Sequence, residues 1–138
     1  MFCDSNILVK AFWHQATEHV ECQNFVFNHQ LIISHQVVLE FTNVTTCSAL
    51  RALSIREAQD VLDNLQQKNN IEVIWPKQQT LSTWQELTKR YKVPRSCLFD
   101  TYMVATMLSH NIHKIVTFNT KHFAQFKEIE VLTPQMVA

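Results

Sequence analysis

Apolar positions fall along the chain in two alternating rhythms: short continuous runs, and longer stretches in which they recur every three or four residues. Met1-Phe2-Cys3, Leu31-Ile32-Ile33, Ile71 to Trp75, Lys114 to Thr117 and residues near 129–132 have the first pattern and are predicted as strands, Pro76 ending the third. The second pattern predicts helices over 5–12, about 17–28, 35–49, 54–68, 79–92 and 97–110, with Pro94 separating the last two and a turn at 120–125. Val37, Val38, Phe41 and Val44 make the apolar stripe of the third helix, and Glu40 lies beside it. Ser54 and Glu57 form a capping box that opens the fourth, whose face is Ile55, Ala58, Leu62 and Leu65.

Short strands alternating with helices of this length predict the α/β class: a mostly parallel central sheet covered on both faces, a three-layer α/β/α sandwich. No internal repeat interrupts the alternation. In sheets of this kind, sites gather in the crevice outside the carboxyl ends of the strands.

Composition narrows the picture. At 138 residues the chain can bury roughly two thirds of its unfolded surface, enough for one core, so residues 1–138 are read as a single domain. Twelve Lys and Arg balance twelve Asp and Glu, which argues against strong sequence-independent binding to duplex DNA. The absence of glycine excludes both common nucleotide-binding fingerprints, and it leaves Asn69, Asn70 and Asn111 as candidates for left-handed helix ends. Cys3, Cys22, Cys47 and Cys97 show no paired spacing, which suits reduced thiols in a core better than disulfides or a structural zinc site. No run approaches ~18 apolar residues and no signal-peptide pattern opens the chain, so the cytoplasm is the expected location.

Four positions carry candidate chemistry. Asp4 follows the first strand, Glu40 lies in the helix after the second, Asp100 is in the first turn of a late helix, and Asn119 follows a strand end. All four can meet at one end of the sheet. Two like charges 4 Å apart repel by roughly 4 kcal/mol at an effective dielectric of 20, so converging carboxylates call for a cation. Mg²⁺ or Mn²⁺ suits oxygen ligands and can activate a water against a phosphodiester.

Asp4-Ser5-Asn6-Ile7-Leu8, Val38-Leu39-Glu40-Phe41, Phe99-Asp100-Thr101-Tyr102-Met103-Val104-Ala105-Thr106 and Val116-Thr117-Phe118-Asn119-Thr120-Lys121-His122-Phe123, taken together, resemble the PIN domains, and among them the VapC-type toxin ribonucleases. The resemblance covers nearly the whole chain. It implies a PIN-like fold, a divalent-metal site and endoribonuclease activity, restrained by an antitoxin whose basic residue reaches the carboxylates. It also implies that Asp4, Glu40 and Asp100 are the acidic metal-site residues, Ser5 the hydroxyl beside the metal, and Asn119 the fourth site position. Two features depart from the family pattern. Many members have an acid where this chain has Asn119, which should weaken a second metal, and only three residues precede Asp4, so the first strand is short or the natural start lies upstream.

Each residue also has a plainer reading. Asp4 before Ser5 is a good helix N-cap, Glu40 a partly exposed helix residue, and Asp100 a complement to a helix dipole. His122 could bring an imidazole near the site, while Phe123 anchors the turn; the other histidines lack zinc-peptidase spacing, and Ser5 lacks the context of a hydrolase nucleophile. Lys89, Arg90, Lys92 and Arg95, with Tyr91 among them, are candidate RNA contacts or simply a solvated helix end. Trp13, Trp75 and Trp84 read as core or interface residues. Excess apolar surface between residues 37 and 65 allows a homodimer. The alternative function is a catalytically weak or inactive PIN-like module that binds RNA or a protein. A phosphoacceptor receiver would need a mid-chain Asp at a strand end, which is absent.

Overall fold

The structure, a computed structural model, describes residues 1–137. Five strands, β1 (Phe2–Cys3), β2 (Leu31–Ser34), β3 (Ile71–Ile74), β4 (Lys114–Val116) and β5 (Glu130–Leu132), form one sheet in the order β3-β2-β1-β4-β5. Every pairing is parallel, so the mostly parallel expectation is met in full. Between β1 and β2 run α1 (Ser5–Phe12) and α2 (His19–Asn28), and between β2 and β3 run α3 (His35–Thr46) and α4 (Ile55–Gln67). The path from β3 to β4 holds α5 (Thr80–Arg90), a 3₁₀ turn (Arg95–Cys97) and α6 (Leu98–Ser109); α7 (Thr120–Phe123) precedes β5 and α8 (Pro134–Val137) follows it.

Strand order explains the layers. The chain steps one way from β1 to β3 and then crosses back to β4 and on to β5, and right-handed crossovers put the two sets of helices on opposite faces. Helix packing agrees: α1 contacts α2 and α3, α3 contacts α4, and α5, α6 and α7 make a separate group. The strand order reverses direction between β1 and β4, which opens a crevice at their carboxyl ends. Phe2, Cys3, Ile115 and Val116 there are fully buried.

The helix carrying Asp100 is apolar nearly all round. Met103, Val104, Ala105 and Met107 of α6 are buried, and so are Thr101 and Thr106, whose hydroxyls donate to the carbonyls of Cys97 (2.7 Å) and Tyr102 (3.0 Å). Such a helix belongs inside the layer it occupies. It is a firm mount for its first turn.

Helix ends show how the chain manages without glycine. Asn69 and Asn111 take positive φ as expected, and Asn70 does not: its N–H donates to Leu65 while Asn69 donates to Gln66, the paired bonds of a Schellman end. Lys92 takes the same role after α5, its N–H reaching Lys89 and that of Val93 reaching Thr88, and Arg51 also has positive φ. Composition did not point to these two. The capping box at Ser54 and Glu57 is present.

Other expectations need correction. Helix α3 stops at Thr46, where Cys47 turns extended; its buried stripe is Val37, Phe41 and Thr45, and Val44 points outward. Ile55, the first residue of α4, is 62% exposed, outside the face formed by Ala58, Leu62 and Leu65. Residues 95–97 form a 3₁₀ turn before α6, and α8 was not foreseen. Trp75 is 65% exposed and stacks on His35, whereas Trp84 packs against the core and donates to the Leu98 carbonyl. Among the described residues no helix is long and apolar enough to cross a membrane.

Candidate functional site

Asp4 leaves β1 at the switch point of the sheet and occupies the N-cap position of α1, yet its carboxylate makes no capping bond. It turns instead toward β4. Thr117, one residue past that strand, donates its hydroxyl to Asp4 Oδ2 at 2.6 Å, and Asn6 Nδ2 donates to the same oxygen at 2.8 Å. Asn6 also donates to Thr117 Oγ1 (3.0 Å) and accepts from the Phe118 N–H, while the Asn119 N–H donates to Thr117 Oγ1 at 2.9 Å. Thr117 is fully buried with every hydroxyl function used.

The second acid comes from α3. Glu40 Oε2 accepts from Ser5 Oγ at 2.8 Å, and Oε1 accepts from Gln36 Nε2, one helical turn earlier, at 2.9 Å. Ser5 Oγ also lies 3.4 Å from Asp4 Oδ1, so one hydroxyl links the two carboxylates. Gln36 reaches across to the Phe99 carbonyl, tying α3 to the start of α6.

Asp100, in the first turn of α6, accepts from His122 Nδ1 of α7 at 2.6 Å. Phe123 beside it is fully buried, so the turn is anchored as expected and the imidazole does reach the site. Among the described residues, Cys97, Asp100 and His122 are the one group of His, Cys, Asp or Glu whose ligand atoms all lie within 4.8 Å of one another.

Electrostatics tie the acids together. Asp4 is 5% exposed, and burial pushes its carboxyl up from 3.8 to about 6 against the bond from Thr117, with the charges of Asp100 and Glu40 pushing the same way. Burial also raises Asp100; the bond and charge of His122 oppose this, and the charge of Glu40 adds to it. Asp4, Glu40 and Asp100 are a donor set made only of oxygen, which suits a hard divalent cation. Ser5 bridges Asp4 and Glu40, and the charge of Asp100 reaches Asp4 from α6, although the three carboxylates are not all within 4.8 Å of one another.

Asn119 stands apart. It is exposed at the start of α7, its side chain makes no capping bond, and its backbone N–H is the part that joins the network. The basic segment is partly committed: Arg90 pairs with Glu86 and with Glu128 (2.6 Å), and Tyr91 donates to Glu128 and packs edge-on against Phe126. Lys89, Lys92 and Arg95 are exposed.

Sequence reasoning passed over Thr117, Asn6, Gln36 and Cys97. Thr117 read as the last residue of a strand; the first residue past a parallel strand next to the switch point is where a site-facing side chain falls, and that signal would have found it. Gln36 stands four residues before Glu40, the helical spacing of a partner. Cys97 had no thiol neighbour in sequence to mark it.

No curated protein matches the chain in sequence. Solved structures similar to it include a toxin–antitoxin complex from Klebsiella pneumoniae, 23% identical, TM-score 0.69, covering 96% of each chain. The Mycobacterium tuberculosis toxin VapC20, described as cleaving the sarcin-ricin loop, is 15% identical with TM-score 0.70, covering 94% of this chain and 98% of its own. VapBC2 from Rickettsia felis, bound to a fragment of its promoter DNA, is 17% identical with TM-score 0.67, covering 96% of each chain. The family model described as PIN domain matches residues 1–129, nearly the full length on which the crevice is built. The chain belongs to the PIN domain family.

Proposed function

We propose that this protein is a divalent-metal-dependent endoribonuclease and the toxin of a type II toxin–antitoxin pair, working in the cytoplasm. One observation carries the reading: a carboxylate, Asp4, is buried where two other acids oppose its charge, and is nonetheless held by donors that favour its ionised form. Burying a charge beside like charges is unfavourable unless a cation completes the site. Asp4, Glu40 and Asp100 would hold Mg²⁺ or Mn²⁺. Such an ion supplies a Lewis acid that lowers the pKa of a water and neutralises charge on a phosphodiester.

The residues of the chain do the rest. Thr117 and Asn6 fix one oxygen of Asp4 and leave the other toward Ser5. Ser5 and Gln36 fix both oxygens of Glu40. His122 holds Asp100 through its Nδ1. Asn119 would orient a water or a phosphate oxygen without adding charge. Lys89, Lys92 and Arg95 would meet the RNA backbone, with Arg90 contributing only after release from its glutamates.

Two of the similar structures are toxin–antitoxin assemblies, which supports an antitoxin partner here. Exposed Leu39, Val44 and Ile55 on α3 and α4 support self-association, read by sedimentation as a function of concentration.

The test is cleavage of a mixed RNA pool by the purified chain with Mg²⁺ or Mn²⁺ and with chelator, beside Asp4→Asn and Asp100→Asn. Cleavage abolished by chelator and by both substitutions is expected. Cleavage that survives Asp100→Asn overturns the assignment, and tight RNA binding without turnover at any Mn²⁺ concentration replaces it with a binding module.

A further inference from the structure

Cys97, Asp100 and His122 make a donor set that a hard cation does not use. Cys97 ends the 3₁₀ turn and Asp100 lies three residues on, the spacing that puts two side chains on one face of a helical turn. His122 closes the group from α7, with one ligand atom of each residue within 4.8 Å of the other two. The thiol is 6% exposed and its side-chain neighbour for hydrogen bonding is Ser96 Oγ at 3.9 Å, a weak contact.

Thiolate, imidazole and carboxylate together are ligands of zinc and its borderline neighbours, whereas magnesium and manganese favour oxygen. At usual zinc–ligand lengths, tetrahedral ligand atoms lie about 3.3–3.8 Å apart. The His122 Nδ1–Asp100 Oδ2 pair, at 2.6 Å, has to open to this spacing and the wider pairs, all within 4.8 Å, have to settle to it, an adjustment that the partly exposed His122 can provide by a small rotamer change. Three protein ligands leave a fourth position for water.

We propose that Cys97, Asp100 and His122 bind a zinc-class ion, and that this ion, by capturing Asp100, turns the carboxylate crevice off. The site stands on its own geometry; the switch rests on the nuclease reading. The two candidate metal sites share one carboxylate, so occupation of the thiol-containing site withdraws Asp100 from Asp4 and Glu40.

Co²⁺, a spectroscopic stand-in for zinc, is titrated into the full-length, chelator-treated protein. One equivalent is expected to give a thiolate-to-cobalt charge-transfer band with tetrahedral visible bands, both erased by one equivalent of Zn²⁺. Cys97→Ser should remove the charge-transfer band, and His122→Ala, at a partly exposed position, should weaken Co²⁺ binding at least tenfold. Cys47→Ser, which alters the one thiol that is not buried, should leave the bands in place. Binding with no thiolate band, or a band that survives Cys97→Ser in protein of unchanged circular dichroism, overturns the site. For the switch, one equivalent of Zn²⁺ should slow RNA cleavage at least tenfold in the wild type and less than twofold in Cys97→Ser, each against its own zinc-free rate. Equal inhibition of both overturns it. Cobalt bands in a protein that cleaves no RNA with any metal remove the nuclease reading and leave the zinc site standing.

Discussion

Asp4 and Asp100 reach the same crevice with opposite kinds of support. Asp4 is nearly buried and takes two bonds on one oxygen, from a threonine past β4 and an asparagine in α1, each itself fixed by other bonds. Asp100 is partly exposed and takes its side-chain bond from one imidazole on a four-residue helix. The first carboxylate is locked by a network that spans the centre of the sheet, and its charge opposes folding. The second can trade partners more readily, because its pair is partly solvated and its imidazole can turn away. A pair built this way keeps one carboxylate fixed and lets the other be competed for.

Substituting the acids should separate function from stability most strongly. Asp4→Asn and Asp100→Asn each should lower RNA cleavage by about 10²–10⁴-fold, yet Asp4→Asn should melt several degrees higher than the wild type at pH 7.5 in chelator, while Asp100→Asn changes melting less. A loss of thermal stability in Asp4→Asn would break the contrast between the two halves.

The supports come next. Thr117→Val removes the donor at 2.6 Å and two acceptor roles with almost no change in volume, and should lower cleavage or Mn²⁺ affinity by about 10–100-fold. His122→Ala should cost less than about tenfold, since Asp100 is already partly solvated. Steady-state cleavage across a Mn²⁺ titration ranks the two; the reverse order would mean that Asp100 is the locked carboxylate.

The acidity of Asp4 gives a pH signature. Its folded pKa of about 6 lies above the ordinary 3.8, so the folded protein binds more protons than the unfolded one between those values. Stability of the chelated protein should therefore fall as pH rises through this window, with the full penalty, at most about 3 kcal/mol, present above it. Melting curves at pH 5 and 7.5 read the slope; Asp4→Asn should flatten it, and saturating Mn²⁺ at pH 7.5 should recover part of the loss.

The smallest effect lies before the Asp100 half. Lys92 holds a left-handed helix end at φ 48°, where a β-carbon is unfavourable, and Lys92→Gly should stabilise the fold by about 1 kcal/mol in denaturant unfolding. A destabilised Lys92→Gly would show that the lysine side chain contributes more than the turn costs.

Much of this was legible in the chain because the signals were local. Strand runs, the Ser54–Glu57 cap and the order of Asp4, Glu40 and Asp100 depend on near neighbours in sequence, and the sheet and crevice follow from their alternation. What escaped was set by distance. Thr117 belongs to Asp4 only through the β1–β4 pairing, and Cys97 belongs to His122 only through the packing of α6 on α7. Ile55 and Val44 fit a helical apolar face by period, and the end of a helix can leave such a position uncovered. Lys92 was passed over because propensity assigns the left-handed role to asparagine, whereas the paired helix-end bonds admit any residue that tolerates the strain.

The central strand has only two residues, and it pairs with β2 on one side and with β4 on the other. Just past it, the bond that Thr117 donates to Asp4 closes a loop spanning 113 positions, at the entropic cost of bringing such distant segments together. The Asp4 end of the crevice is therefore complete only when segments far apart in the sequence have met across the centre of the sheet.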